Sequence, residues 1–153
     1  MELLKAKESD YLIFLNNAKA NKPLDVHTPY TYWAIIKHFH DGCFYLKDND
    51  KVIGSIMSLQ TNKTLFVWQI GIVSEYRKKG LSYTLYEAVY NAAKEKGLSS
   101  ITLSIDPSNE NNYYAILSFC NKNNLKLIKT DEVNLQIQED NFKEFENLYK
   151  INI

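Results

Sequence analysis

Neither sign of charge is in surplus in this chain: 18 Lys and Arg balance 18 Asp and Glu, for a formal net charge of zero. That balance excludes a global attraction to nucleic acid or to an anionic membrane, so any anion site has to be local. Cysteine is scarce. Cys43 and Cys120 are the only two, each in apolar company (Cys-Phe-Tyr-Leu and Ser-Phe-Cys), and they read as small buried hydrophobes rather than a disulfide. Three histidines, His27, His38 and His40, show no spacing with Cys or Asp of the kind zinc requires, and no metal is assigned. No Ser-His-Asp arrangement or G-x-S-x-G elbow is visible. No apolar stretch approaches the roughly 20 residues that cross a bilayer. The opening MELLKAKESD lacks a basic region followed by an apolar run and a small-residue cleavage site, so no signal peptide is expected. The expectation is a soluble, cytoplasmic protein. Repeats, low-complexity tracts and Gly/Ser/Pro linkers are also missing, and 153 residues fit one domain, residues 1–153.

What is present is a core. A hydrophobic fraction of 45% with 13% aromatics argues against disorder. Ser9-Asp10 caps a first helix with Leu12, Ile13, Leu15 and Ala18 at helical spacing, ended by Lys22-Pro23-Leu24-Asp25. A second helix starts after Pro29 and carries Tyr32, Trp33, Ile36 and Phe39. Cys43 to Leu46 and Val52 to Leu59 read as strands joined by Asp48-Asn49-Asp50. Thr64 to Val73 is nearly continuously apolar, hence a central strand buried on both faces. A helix from Leu81 to Lys96 is stopped by Gly97, and a strand from Ile101 to Ile105 ends at Asp106-Pro107. Next come a helix from Asn109 to Lys122 and strands near Leu125 to Lys129 and Val133 to Gln138. The tail, Phe142 to Ile151, reads as a short helix or irregular chain. An early strand and helices, a strand meander, then strand–helix–strand pieces give an α/β (α+β) mixed sheet with helices on both faces.

The chain's single arginine, Arg77, stands where the apolar strand meets the third helix, in Arg77-Lys78-Lys79-Gly80-Leu81-Ser82. Basic residues and a glycine at a helix start favour phosphate, because free N–H groups and the positive end of the dipole point at the anion. Gly80 lets an anion approach the backbone closely. The plainer alternative is a solvated basic turn. Asn109 is either simply an N-cap or also a side-chain amide that bonds a ligand amide. Trp68 is either core packing or part of a site. A bulge in its strand would free an N–H near Ile70, Gly71 and Ile72 to polarise a carbonyl. Asp25 is either a turn residue or the anion for a substrate ammonium.

These blocks resemble the GNAT acyltransferases, and among them the L-2,4-diaminobutyrate acetyltransferases of ectoine synthesis. Leu24-Asp25 with Tyr30-x-Tyr32, His38-Phe39 with Cys43, and Thr64-Leu65-Phe66-Val67-Trp68-Gln69 are similar to three of that family's blocks. Arg77-x-x-Gly80-Leu81, Pro107-x-Asn109 and Glu146-x-Leu148-Tyr149-Lys150-Ile151 are similar to three more. The resemblance implies the GNAT fold, with a mostly antiparallel twisted sheet of six to seven strands. It implies acetyl-CoA as co-substrate, a small diamino acid, L-2,4-diaminobutyrate, as the small-molecule amine acceptor, and a homodimer; the alternatives are another amine (a polyamine, lysine or an aminoglycoside) or a non-catalytic CoA-binding module. Carried over, Asp25, Tyr30, Trp68 and Glu146 become acceptor-site residues. Ile70, Gly71, Ile72, the loop Arg77, Lys78, Lys79, Gly80, Leu81, Ser82, and Asn109 become the CoA site. Trp68, Ile70 and Tyr113 (or its neighbour Tyr114) are the catalytic candidates. The pattern departs at His27, Ser82, Asp106, Ser108, Ile116 and Lys143.

Overall fold

The computed structural model describes residues 1–21 and 24–153. Among these, seven strands form one sheet in the order β1-β2-β3-β4-β5-β7-β6. The strands are β1 (Glu2–Lys5), β2 (Phe44–Asp48), β3 (Lys51–Thr61), β4 (Thr64–Ile72), β5 (Ser100–Ile105), β6 (Ile128–Ile137) and β7 (Phe142–Asn152). The helices are α1 (Tyr11–Ala20), α2 (Pro29–Phe39), α3 (Leu81–Glu95) and α4 (Glu110–Lys122).

Local chemistry accounts for most boundaries. Pro29 occupies the first turn of α2, and the Thr28 hydroxyl accepts from the Thr31 N–H at 3.3 Å. Asn109 caps α4 by accepting from the Asn112 N–H at 3.2 Å. Asp10 precedes α1 but makes no cap bond; its carboxylate accepts from the Lys7 N–H at 2.8 Å instead. Asparagines take the left-handed position in the β2–β3, β3–β4 and β6–β7 turns: Asn49 (φ 55°), Asn62 (φ 55°) and Asn141 (φ 51°). The expected terminator of α1 includes Lys22 and Pro23, which lie outside the described residues.

All neighbouring strands pair antiparallel except β4 and β5. A parallel pair needs a crossover, and α3 supplies it. The two strands share only four register pairs, from Thr64↔Ser100 to Val67↔Leu103. Beyond that point β5 continues against β7 to Ile105↔Asn147, while β4 continues against β3 alone. The pairing of β3 with β4 slips between Met57↔Gln69 and Ser58↔Val67, so Trp68 is one residue too many on its strand. This bulge turns the end of β4 away from β5.

Helices cover both faces. On one face Leu65, Val67 and Leu103 of the sheet pack with Leu85 and Val89 of α3 and Phe119 of α4. On the other, Tyr45 and Met57 pack with Phe14 and Ala18 of α1 and Tyr32 and Ile36 of α2. The inner strand β3, beside the central β4, is buried on both sides from Ile53 to Ser58. Its neighbour β4 departs from expectation: Leu65 and Val67 are buried, but residues 68–72, which have β3 on one side and no strand on the β5 side, are only half-buried.

Two further expectations are corrected. The segments near residues 125–129 and 133–138 form one strand, β6, with a slip between Lys129 and Asp131. The tail is neither helix nor irregular but the 11-residue strand β7, inserted between β5 and β6. Its pairing partners are distant in sequence, so its local pattern did not announce them. Among the described residues, no helix is long and apolar enough to cross a membrane.

The Phe119 ring is fully buried on α4 and meets the rings of Tyr83, Tyr86 and Tyr90 at 5.3, 6.4 and 5.7 Å. Phe119→Ala is expected to cost about 3–5 kcal/mol in urea unfolding, the usual range for emptying such a position.

Candidate active site

The strand–loop–helix unit supplies the first half of the site. Lys78 (φ 63°) and Gly80 (φ 75°) both adopt left-handed conformations, which turn the chain sharply before α3. Gly80 stands at the N-cap, so α3 begins without a side-chain cap. A side-chain carbon added at Gly80 would meet no atom within 4 Å. Among the described residues, no protein group accepts from the backbone N–H groups of residues 78–80. Together with the uncapped first turn of a 15-residue helix, they present a set of free donors with a positive dipole behind it.

Arg77 is engaged beneath this loop. Its Nε donates to the Ile72 carbonyl at 2.8 Å and its Nη2 to Asn21 Oδ1 at 3.2 Å. Asn21 is buried and donates to the Asn17 carbonyl at 2.9 Å; Asn17, also buried, donates to Ser55 Oγ at 2.7 Å and to the Gly71 carbonyl at 3.2 Å. The arginine therefore ties the end of β4 to α1. Outside the loop, the ammonium groups of Lys79 and Lys51 lie 5.3 and 5.6 Å from the centre of the Tyr76 ring, whose hydroxyl donates to Asp48 at 2.6 Å.

The second half lies where β4 has left β5. Trp68 packs with the α1/α2 side of the sheet, its ring 4.7 Å from that of His27 and 5.9 Å from that of Tyr32. The buried Tyr32 hydroxyl donates to Gln69 Oε1 at 3.2 Å, and Gln69 Nε2 donates to the Asp25 carbonyl at 3.0 Å. Those bonds draw the segment from residue 24 to 28 onto β4. Gly71 has no room for a side chain, since a Cβ there would collide with Leu24 and Asn21. Tyr30 does not join this cluster; it is 72% exposed and stacks on Trp33 at 5.7 Å. On α4, Tyr113 is half-buried between Tyr114 and Tyr149 at 5.5 and 5.8 Å, whereas Tyr114 is exposed and Ile116 buried.

Residues 9–119 match the profile of the Acetyltransferase (GNAT) family. The chain belongs to the GNAT acetyltransferases. An L-2,4-diaminobutyric acid acetyltransferase from Shouchella clausii (strain KSM-K16) is 32% identical over 90 residues, covering 57% of this chain and 51% of that protein. The one from Streptomyces coelicolor is 26% identical over 139 residues, covering 88% and 82%. The chain spans about half the length of most of the curated relatives it matches. In fold it is similar to the diaminobutyrate acetyltransferase of Paenibacillus lautus, solved in complex with L-2,4-diaminobutyric acid and coenzyme A. The TM-score is 0.85 at 22% identity, over 99% of this chain and 93% of that one.

Within this GNAT sheet, Glu146 stands on β7. Tyr149 and Ile151 face the α3/α4 core, so strand alternation turns Glu144, Glu146 and Leu148 to the opposite face, the one that carries Trp68. Glu146 Oε2 is buried without a hydrogen-bond partner. Burial foremost, then the neighbouring Glu144 carboxylate, to which the protonated form can donate and whose charge opposes ionisation, and lastly the charges of Asp106 and Asp25, push its carboxyl up to about 7. Asp25 thus lies within electrostatic reach of Glu146, on the sheet face that carries Trp68, and the loop of residues 77–82 follows the far end of β4. Glu144 and the involvement of Asp106 were missed in the sequence. The Glu144-x-Glu146 alternation would have shown them on one face had the tail been read as a strand. Among the described residues, no group of three or more His, Cys, Asp or Glu is placed to hold a metal ion.

A carboxyl raised from 4.5 to about 7 in the fold makes its charged form a burden on stability. The penalty is absent below the unfolded value, grows as pH rises through that window, and is complete above it. Thermal melts should therefore show Glu146→Gln gaining on the parent at about pH 8 and not at about pH 4. A gain of equal size at both would remove the charge burden.

Proposed function

We propose that this chain is an acetyl-CoA-dependent N-acetyltransferase that acts on the γ-amino group of L-2,4-diaminobutyrate. The product is N4-acetyl-L-2,4-diaminobutyrate, the precursor that ring closure converts to ectoine. The observation that carries the reading is the parting of β4 and β5 beside an uncapped α3, with carboxylates gathered on the other face. The kinship with diaminobutyrate acetyltransferases supports the choice of acceptor. The same kinship underlies a homodimeric, cytoplasmic enzyme as part of the proposal.

In this reading the pyrophosphate sits on the N–H groups of residues 78–82. The pantetheine arm lies along the bare edge of β4, residues 68–72, where its amides take the place of a missing strand. Asn109, whose Oδ1 is used in capping, keeps its amide NH2 for that arm. An N–H near Ile70 to Ile72 polarises the thioester carbonyl and stabilises the developing oxyanion. Trp68 walls the acceptor, and Asp25 holds the ammonium that does not react. Transfer is direct, in a ternary complex, with orientation supplying much of the acceleration.

A second reading is favoured by one observation. The charges acting on Glu146 are all negative, and no cation offsets them. Diaminobutyrate brings its own carboxylate into that field, whereas 1,3-diaminopropane, the same skeleton without the carboxylate, does not. A simple polyamine is thus the alternative acceptor. An acceptor panel read by free-thiol release separates the two. Diaminobutyrate is expected to exceed lysine and 1,3-diaminopropane by at least ~10-fold in kcat/KM, a difference of ~1.4 kcal/mol in transition-state binding. A preference for the diamine moves the reading to polyamines.

The loop assignment is tested separately. Gly80→Ala should cost about 1–2 kcal/mol of stability from the left-handed backbone. It should also weaken coenzyme A binding ~10-fold or more in calorimetry, because the added methyl points where the phosphate sits. Loss of stability with unchanged binding would make the loop an ordinary turn.

A further inference from the structure

The unpaired N–H and C=O groups along the edge of a sheet are a template for another strand. The two edges of this sheet are β1 and β6. β1 is four residues long and carries a charge at each end, Glu2 and Lys5, a common protection of an edge. β6 has ten residues, and from Val133 to Ile137 it carries neither charge nor proline: Val-Asn-Leu-Gln-Ile. Among the described residues, no strand pairs with its outer side.

The same strand belongs to a ribbon that lacks cover. β5 pairs with β7 only from Asn147 to Asn152, so residues 142–146 of β7 are held by β6 alone. A two-stranded ribbon is marginal in water unless further strands or a packed apolar face support it. Leu135, Ile137 and Phe142 are all exposed here. Strand alternation and the register pair Ile137↔Phe142 put these three and Val133 on one face, a stripe of apolar side chains that ends at the bare edge.

We propose that β6 of a second copy of this chain pairs antiparallel with this edge, about a two-fold axis through Leu135. The strand matches its own reversal, which is what a second copy requires. An axis at Leu135 sets Val133 of one copy opposite Ile137 of the other, Leu135 opposite Leu135, and Asn134 opposite Gln136. Moving the axis to Asn134 sets Ile137 against Asp131, and moving it to Gln136 sets Val133 against Glu139. An axis between two residues opposes apolar to polar side chains on each face. The axis at Leu135 alone gives each apolar residue an apolar partner, and it opposes no like charges from 133 to 137. Such an interface is isologous and closes at two copies, joining two seven-stranded sheets into one. It gives the homodimer proposed above a surface, and rests on that part of the reading alone.

The test is self-association of the unliganded chain, read by sedimentation velocity across a dilution series, which does not depend on acetyl transfer. The parent should be a dimer. Leu135→Lys and Leu135→Asp change an exposed position and should each keep the parent's thermal melt. Each should weaken the dimer at least ~10-fold, because like charges then face each other across the axis. Mixed in equal parts, the two should recover it, because opposite charges meet. Opposed residues of antiparallel strands have Cα atoms about 4.5–5.5 Å apart, within the span of a disulfide. Leu135→Cys should therefore give a disulfide-linked dimer on mild oxidation, while the parent, whose Cys43 and Cys120 are buried, should not. Val133→Cys, which the same pairing sets opposite Ile137, should not link to itself. A dimer that both charge variants leave intact overturns this surface and leaves the homodimer to another face. A mixture that stays dissociated, or a Val133→Cys chain that links as well as Leu135→Cys, overturns the axis. A parent that is monomeric throughout the series overturns the homodimer as well.

Discussion

Strands β4 and β5 are hydrogen-bonded for four residues and then part, and the position of every candidate group follows from that divergence. β5 is held by β7 as far as Ile105, and β4 by β3 as far as Ile72, so neither can bend back to close the gap. The extra residue at Trp68 adds local twist at the point of separation. An open edge of backbone donors and acceptors is the result, and inside a sheet such groups seek partners. The same topology places α3. Because β4 and β5 run parallel, the crossover helix must start from the end of β4, so its uncapped N-terminus stands at the wide end of the gap.

The separated strand end would fray if only β3 held it. Two chains of polar bonds hold it from the α1/α2 side. Ser55, Asn17, Asn21 and Arg77 connect β3 through α1 to the carbonyls of Gly71 and Ile72. Tyr32 and Gln69 connect α2 through β4 to Asp25. Each such bond is worth on the order of 1 kcal/mol net, but leaving one buried partner unsatisfied costs more. Their contribution lies less in total stability than in specifying one arrangement of strand, loop and the segment before α2.

A formal charge of zero conceals local unevenness. Lys51 and Lys79 flank the Tyr76 ring ahead of α3, with Asp48 and Glu75 beside it. Asp25, Asp106, Glu144 and Glu146 act together on the opposite face. Solvent ions screen exposed charges beyond about 8–10 Å. Each group therefore acts locally.

Helix and turn signals were legible from sequence because they depend on neighbours within a few residues. Pro29 opens α2, Asn109 caps α4, Gly97 lies just past α3, and the Arg77-to-Ser82 loop lies between a strand and a helix as its residues imply. The strand identity of β4 was equally clear from its apolar run. What only tertiary structure decided depends on partners far along the chain. The tail became β7 because β5 and β6 pair with it, and only then did Glu144 and Glu146 share a face with Trp68. The slip at Trp68 is a property of two strands, not of one sequence. Asn21 as the partner of Arg77, and Tyr30 as an exposed ring, likewise followed from packing. Backbone conformation is set by nearby covalent and steric constraints, whereas register, burial and charge proximity arise from distant segments brought together by the core.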